Sequence, residues 1–142
     1  MPSLFKSLLF TITLLCSAHT SAEQMQKLGD WDVHYIAFPS TFLTSEVASN
    51  YDIDRSKYLG IINISVLDSD SQKAQAVAIK VTARNLLGNI RELEVNEIRE
   101  QNAIYYIAEV PHRNEEIYRI TVTLSDGKQT QELKFQQKFY VD

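Results

Sequence analysis

A histidine and a carboxylate two residues apart on a strand can work as a general-base pair, and Asp32-Val33-His34 offers that spacing. Side chains alternate across a strand, so Asp32 and His34 share a face. Acid–base chemistry of this kind also needs a nucleophile, and no Gly-x-Ser-x-Gly elbow occurs in the chain. The pair therefore reads as a half-exposed strand histidine beside a surface acid. His112 lies in the loop sequence HRNEE after Pro111 and reads as solvated. Metal-hydrolase spacing such as His-Glu-x-x-His is absent. Two Asp-x-Asp pairs remain, Asp52/Asp54 and Asp68/Asp70. The second is turn chemistry, because Asp and Ser side chains bond their own backbone. The first is more open, since Arg55 beside it can pair with either acid. Tyr105 and Tyr106 alternate, so one of them points away from the core that the other fills; Ile107 shares the Tyr105 face. If that face lacks a covering sheet it is an apolar patch fit for a partner, although a central strand covered on both faces is the expectation. The candidate binding residues are thus His34, Asp54, Arg55 and Tyr105, with no catalytic residue, metal ligand or cofactor assigned.

The elements that position these residues begin after a leader. Lys6 and the amino terminus form a positive start, and residues 8–16 are apolar apart from Thr11 and Thr13. Residues 17–22 (SAHTSA) then place small residues at the −3 and −1 positions of a cut after Ala22. That apolar run is about half the length of a membrane-spanning helix. A cleavable secretory signal over 1–22 and one domain over 23–142 follow. The destination is the periplasm, or the exterior if the cell has a single membrane. The sole cysteine, Cys16, lies in the leader, so the domain has neither a disulfide nor a thiolate metal site. Leu15 precedes it where a lipoprotein signal carries a small residue. Of 14 basic side chains only Lys6 leaves with the leader; the 13 that remain face 18 acids, a net of −5. A general nucleic-acid binder needs a basic face to displace phosphate counterions, and this balance argues against one.

From residue 23 onward the dominant period is two, the period of a half-buried strand. Trp31, Val33 and Tyr35 alternate with polar residues, and Pro39 ends the run. Residues 58–67 (YLGIINISVL) carry Ile62, Ile64 and Val66 on one face, with Gly60 marking a bulge or a close backbone approach. Val77, Ile79 and Val81 form the next run, and Gly88-Asn89 turns the chain into a strand holding Leu93 and Val95. Residues 103–110 are apolar on both faces, as in a central strand. Residues 117–124 (IYRITVTL) lead into a hairpin with Asp126-Gly127 at its tip. The last run ends at Val141, where Lys134 and Lys138 discourage edge pairing. Seven short strands without intervening helices predict an all-β, antiparallel, immunoglobulin-like or fibronectin-like sandwich. An eight-stranded barrel is the rival.

One segment, residues 40–57, breaks the period. Leu43, Val47 and Tyr51 are spaced for one helical face, and Thr44 can cap a helix over 45–51 that has Glu46 in its first turn. It is expected between the first two strands, over an open end or an edge of the sandwich.

The blocks GDWDVHYIAFPSTFLTSEVASNYDIDRS (from Gly29), ARNLLG (from Ala83), EIREQNAIYYIAEV (from Glu97) and LKFQQKFYVD (from Leu133) resemble a family of small exported gammaproteobacterial proteins, domain of unknown function 4426. The resemblance covers the whole of 23–142 and implies an exported β-sandwich, with no activity or site residue to carry over. Two functions are open: a non-catalytic binding or accessory module of the cell envelope, meeting another protein, or a small-ligand protein or enzyme with its site between segment 40–57 and the sheet.

Overall fold

Strands with one apolar face need a second apolar surface, and this chain supplies it by packing two antiparallel sheets together. The structure, a computed structural model, describes residues 23–141; the expected leader over 1–22 lies outside them. Nine strands occur among the described residues: β1 (Gln24–Leu28), β2 (Trp31–Pro39), β3 (Leu59–Asp68), β4 (Ala78–Asn85), β5 (Ile90–Glu92), β6 (Val95–Glu100), β7 (Ala103–Pro111), β8 (Glu116–Ser125) and β9 (Thr130–Phe139). One sheet has the order β1-β2-β3-β7-β6 and the other β5-β4-β8-β9. Without β1, this is the two-sheet order of the immunoglobulin sandwich. The barrel is excluded and the sandwich holds.

The count differs from seven for two physical reasons. Strand β1 is exposed along nearly its whole length, so it has no apolar period to read. Its signal was the turn instead: Leu28 pairs with Trp31 across Gly29-Asp30, and Gly29 takes the left-handed φ of +59°. The run through Leu93 and Val95 splits because the chain changes sheets there. Leu93 donates its N–H to Val81 O in one sheet (2.9 Å), while Glu94 O accepts from Glu109 N in the other (3.2 Å).

Inner faces are set by alternation. Val33, Ile62, Ile64 and Val66 of the five-stranded sheet meet Val81, Ile120, Val122, Leu124 and Leu133 of the other, all essentially water-free. Tyr35 stacks on Phe135 with ring centroids 4.6 Å apart. Near the opposite end Phe139 lies against His112 (5.0 Å) and Tyr118 (6.2 Å). His112 is thus buried rather than solvated: its ring covers Phe139 and its Nδ1 lies 2.8 Å from Arg113 O. The Tyr118 hydroxyl sits 3.2 Å from Pro111 O and 2.9 Å from Glu116 Oε1. The first contact, from the start of β8 back to the end of β7, is the tyrosine corner of immunoglobulin-type sandwiches.

The acidic turns behave as their composition predicts. Asp68 accepts the N–H groups of Ser71 (2.8 Å) and Asp70 (3.0 Å). Asp126 accepts those of Lys128 (2.8 Å) and Gln129 (2.9 Å) at the β8–β9 tip. Hydrogen bonds to Ser71 and Asp70, and to Gln129 and Lys128, hold these carboxyls below their ordinary range. A carboxyl with a lowered folded pKa contributes stability above its unfolded value and loses it as pH falls through the folded one. Unfolding midpoints in urea are therefore expected to fall below about pH 4. In Asp68→Asn/Asp126→Asn the midpoint starts lower and its acid-side slope flattens; an unchanged slope contradicts the assignment.

Candidate functional site

Segment 40–57 and the outer face of the five-stranded sheet together make the site. Pro39 ends β2, a single 3₁₀ turn follows (Ser40–Phe42), and then comes helix α1 (Ser45–Asn50). Thr44 caps α1 as expected, its Oγ1 accepting from Val47 N at 3.2 Å. The helix lies over neither an end nor an edge. Ala48 and Ile53 are buried against Ile61 and Ile107, with Phe38, Leu43, Tyr51, Ile98 and Tyr105 around them, so the segment covers half of a sheet face. The second face of β7 is thus covered by this segment and not by the other sheet. Ile61 of β3 and Ile107 of β7 give the segment an apolar bed on the outward face, where Asn63 and Ser65 of β3 lie farther along.

The uncovered half of the face is an open groove of about 960 Å³. His34, Asn63, Ser65 and Tyr105 line it from β2, β3 and β7, and the β6–β7 turn (Glu100, Gln101, Asn102) borders it. Register sets His34 directly opposite Ser65 on one side and Met25 on the other. At the helix end of the groove the Tyr51 hydroxyl hydrogen-bonds the Glu100 carboxylate, tying the segment to β6.

The four residues singled out from sequence divide. His34 and Tyr105 line the same groove. Asp54 and Arg55 do not join them. Arg55 pairs with neither Asp52 nor Asp54; its guanidinium donates to Thr41 O (3.1 Å) and Ser45 Oγ (3.3 Å), stitching the segment to itself. Asp54 stands near Glu109, whose carboxyl is raised by partial burial and then by the charges of Glu94, Asp54 and Asp52. An acid raised in the folded state weakens the fold as pH climbs from the unfolded value through the folded one. Glu109→Gln is therefore expected to stabilise at pH 7, by less than about 1 kcal/mol given solvent screening. The gain vanishes at pH 4, and thermal melts at the two pH values check it.

Nor does Asp32 meet His34. Its carboxylate accepts from Gln72 Nε2 (2.9 Å) and Ser69 Oγ (3.0 Å), bonds that hold its pKa down. The His34 Nδ1 faces Glu23 Oε1 instead, at 3.7 Å. Asn63, which in the sequence reads only as a glycosylation sequon (Asn63-Ile64-Ser65) without meaning inside a strand, has the one buried side-chain polar atom, Oδ1, without a hydrogen-bond partner among the described residues. An Asn on the outer face of an Ile-rich strand was the available signal. It borders a second space, a cleft of about 240 Å³ between segment and sheet, lined by Leu43, Ile53, Ile61, Ile98 and Ile107.

Fold and groove define an immunoglobulin-type sandwich with one sheet face half roofed and half open. The chain belongs to the family described as Domain of unknown function (DUF4426), whose model matches residues 25–142. It is similar to a DUF4426 family protein of Pseudomonas aeruginosa PAO1, with 33% identity over 84% of this chain and 96% of that one, and a TM-score of 0.74. The fold alone is shared with FetP of uropathogenic Escherichia coli strain F11. A copper-bound FetP variant is 11% identical over 84% of this chain and 95% of its own, with a TM-score of 0.57. FetP as isolated after expression in the E. coli periplasm is 10% identical over 87% and 98%, with a TM-score of 0.55. No curated protein matches the chain.

Proposed function

We propose that this protein is a non-catalytic binding module of the cell envelope, exported to the periplasm by residues 1–22, and that its groove holds an extended segment of another envelope protein. The observation that carries this reading is the groove itself, open and lined by imidazole, amide, hydroxyl and phenol groups from three neighbouring strands, with Leu67, Ala74 and Ala103 among them. The backbone of these interior strands is already paired, so these polar side chains are what can bond the peptide groups of an extended chain laid across the face. Glu23 and Glu100 at its border favour a segment without acidic side chains. Export is supported by the leader pattern, and mass spectrometry of the periplasmic fraction should find a chain starting at Glu23.

A photoreactive amino acid placed at position 65 tests the groove. Irradiation of cells should give a discrete adduct from position 65 but not from position 123, on the other sheet. His34→Ala/Tyr105→Ala should abolish it. Equal adducts from both positions, or none from 65, would overturn the proposal.

The 240 Å³ cleft supports a second reading, because Asn63 borders it and its buried Oδ1 lacks a donor, which a ligand can supply after a small movement of the side chain. A small apolar molecule with one hydrogen-bond donor fits it. Short-chain alcohols or primary amides should raise the melting temperature of the native domain and leave Asn63→Leu unmoved. The absence of any shift across such a series removes this reading.

A further inference from the structure

The opposite sheet carries a feature that the groove does not use. At the β4–β5 tip three large aliphatic side chains stand in water: Leu86 is 70% exposed, Leu87 88% and Ile90 67%. Single exposed apolar residues are ordinary, but here three fall within five residues of one hairpin tip. The tip is fixed in shape. Asn85 Oδ1 accepts from Leu87 N (3.0 Å) and Asn89 N (2.9 Å), and Asn85 O accepts from Gly88 N (3.1 Å). These bonds hold the backbone that presents the two leucines outward.

Behind the tip, strand register sets Ile90, Arg84, Arg119 and Gln136 in one row across the outer face. Arg84 and Arg119 are direct cross-strand partners, an arrangement that costs stability because like charges oppose. Among the described residues no carboxylate lies within ion-pair distance of either guanidinium. Arg84 Nη2 reaches the tip, 3.8 Å from where a side chain at Gly88 would begin. Lys134, which pairs with Glu132 at 3.7 Å, joins both arginines around a concavity of about 560 Å³ with Ile90 beside it. By alternation the same face holds Lys80 and Lys138, against Glu92 and Glu132. A domain of net −5 has therefore gathered cations on one face, while Asp52, Asp54 and Glu94 gather about Glu109 of the other sheet.

We infer that the β4–β5 tip and the Arg84–Arg119 row dock this domain on the surface of an anionic lipid bilayer. Leu86, Leu87 and Ile90 enter the headgroup boundary, and the guanidiniums take lipid phosphates, which they can hold by paired N–H donors. The two halves of the patch point to the same occupant. A free anion has no use for three aliphatics, and a second copy docked here by a two-fold axis would set Arg84 and Arg119 against themselves. The acids of the far sheet do not cancel the attraction, because charges separated by more than about 8 Å are screened at physiological salt. No helix among the described residues is long and apolar enough to cross a membrane, and surface docking requires none. This inference goes beyond the binding-module reading, since it concerns the other sheet and leaves the groove free.

Vesicle flotation tests it with the domain over 23–142. Vesicles of equal phosphatidylglycerol and phosphatidylcholine should carry the protein, and phosphatidylcholine vesicles should not. Arg84→Gln/Arg119→Gln should lower the partition coefficient by about fivefold per arginine. Leu86→Ser/Leu87→Ser should lower it at least about tenfold. All four positions are exposed or at the surface, and melts matching the wild type confirm that the variants fold. Because Cys16 is the sole cysteine and lies in the leader, Leu87→Cys accepts one polarity-sensitive dye, whose emission should shift blue on the anionic vesicles only. Equal binding to both vesicle types, or partition unmoved by either double variant, overturns the proposal. So does full displacement by inorganic phosphate, which would leave a free-anion site, or tip-dependent dimerisation without flotation, which would leave a self-interface.

Discussion

Trp31→Ala is expected to lower the unfolding free energy by about 3–5 kcal/mol, the range for emptying a buried indole site. Trp31 is 2% exposed and opens β2, pairing with Leu28 on one side and Asp68 on the other. Hydrogen-bonded ladders on both flanks stop the backbone from closing over the void, so the cost belongs at the large end. The loss should appear in urea titration as a lower midpoint with an unchanged slope. Trp31 is the only tryptophan, so far-UV circular dichroism must follow it. Trp31→Phe, which refills most of the space, should recover over half of the loss. A cost below about 1 kcal/mol for the alanine variant would mean that the indole is not packed as described.

The second large effect comes from adding one methyl group. Gly→Ala at a position with ordinary backbone angles normally stabilises by about 0.4–1 kcal/mol, through the unfolded chain. At Gly60 the sign should reverse. A Cβ there would meet Phe139 ring carbons at 2.5 and 2.6 Å, well inside contact distance. The ring cannot swing aside freely, because His112 stacks on it and Tyr118 meets it at a steep angle. We expect Gly60→Ala to cost about 1–3 kcal/mol and Gly60→Val more, as overpacking does. Phe139→Leu should be destabilising alone yet offset part of the Gly60→Ala cost, giving a clear coupling in a double-mutant cycle. Additive losses would show that the ring is not what excludes the methyl group.

His112 illustrates how this aromatic group escaped sequence reasoning. Its neighbours in the chain are polar and loop-like, so local composition places it in water. Burial comes from Phe139, which stands 27 residues away in sequence at the far end of β9. Gly60 gave a local hint, a glycine inside a strand, but the close approach needed the other sheet to exist. Arg55 is a similar case. Beside Asp52 and Asp54 it looks paired with an acid, yet the folded segment turns it back to Thr41 and Ser45.

The basic row teaches the same lesson for charge. Arg84 and Arg119 belong to different strands, each among neutral neighbours, and the overall balance of the chain is acidic. Antiparallel register alone brings them side by side.

By itself the sequence determined the properties that depend on neighbours along the chain. The alternation of β2, β3, β4, β8 and β9 was legible because period two reports which side of a ribbon is apolar, and β7 was legible as a run apolar on both faces. So were the Thr44 cap and the Asp68 and Asp126 turns, because a side chain bonding its own backbone needs no distant partner. Tertiary structure alone decided which faces meet. It laid segment 40–57 over half of one sheet face, opened the His34–Tyr105 groove beside it, and aligned Arg84 with Arg119. The physical reason is that register and sheet packing are set by contacts among residues far apart in the chain, and periodicity within one strand carries no record of its neighbour.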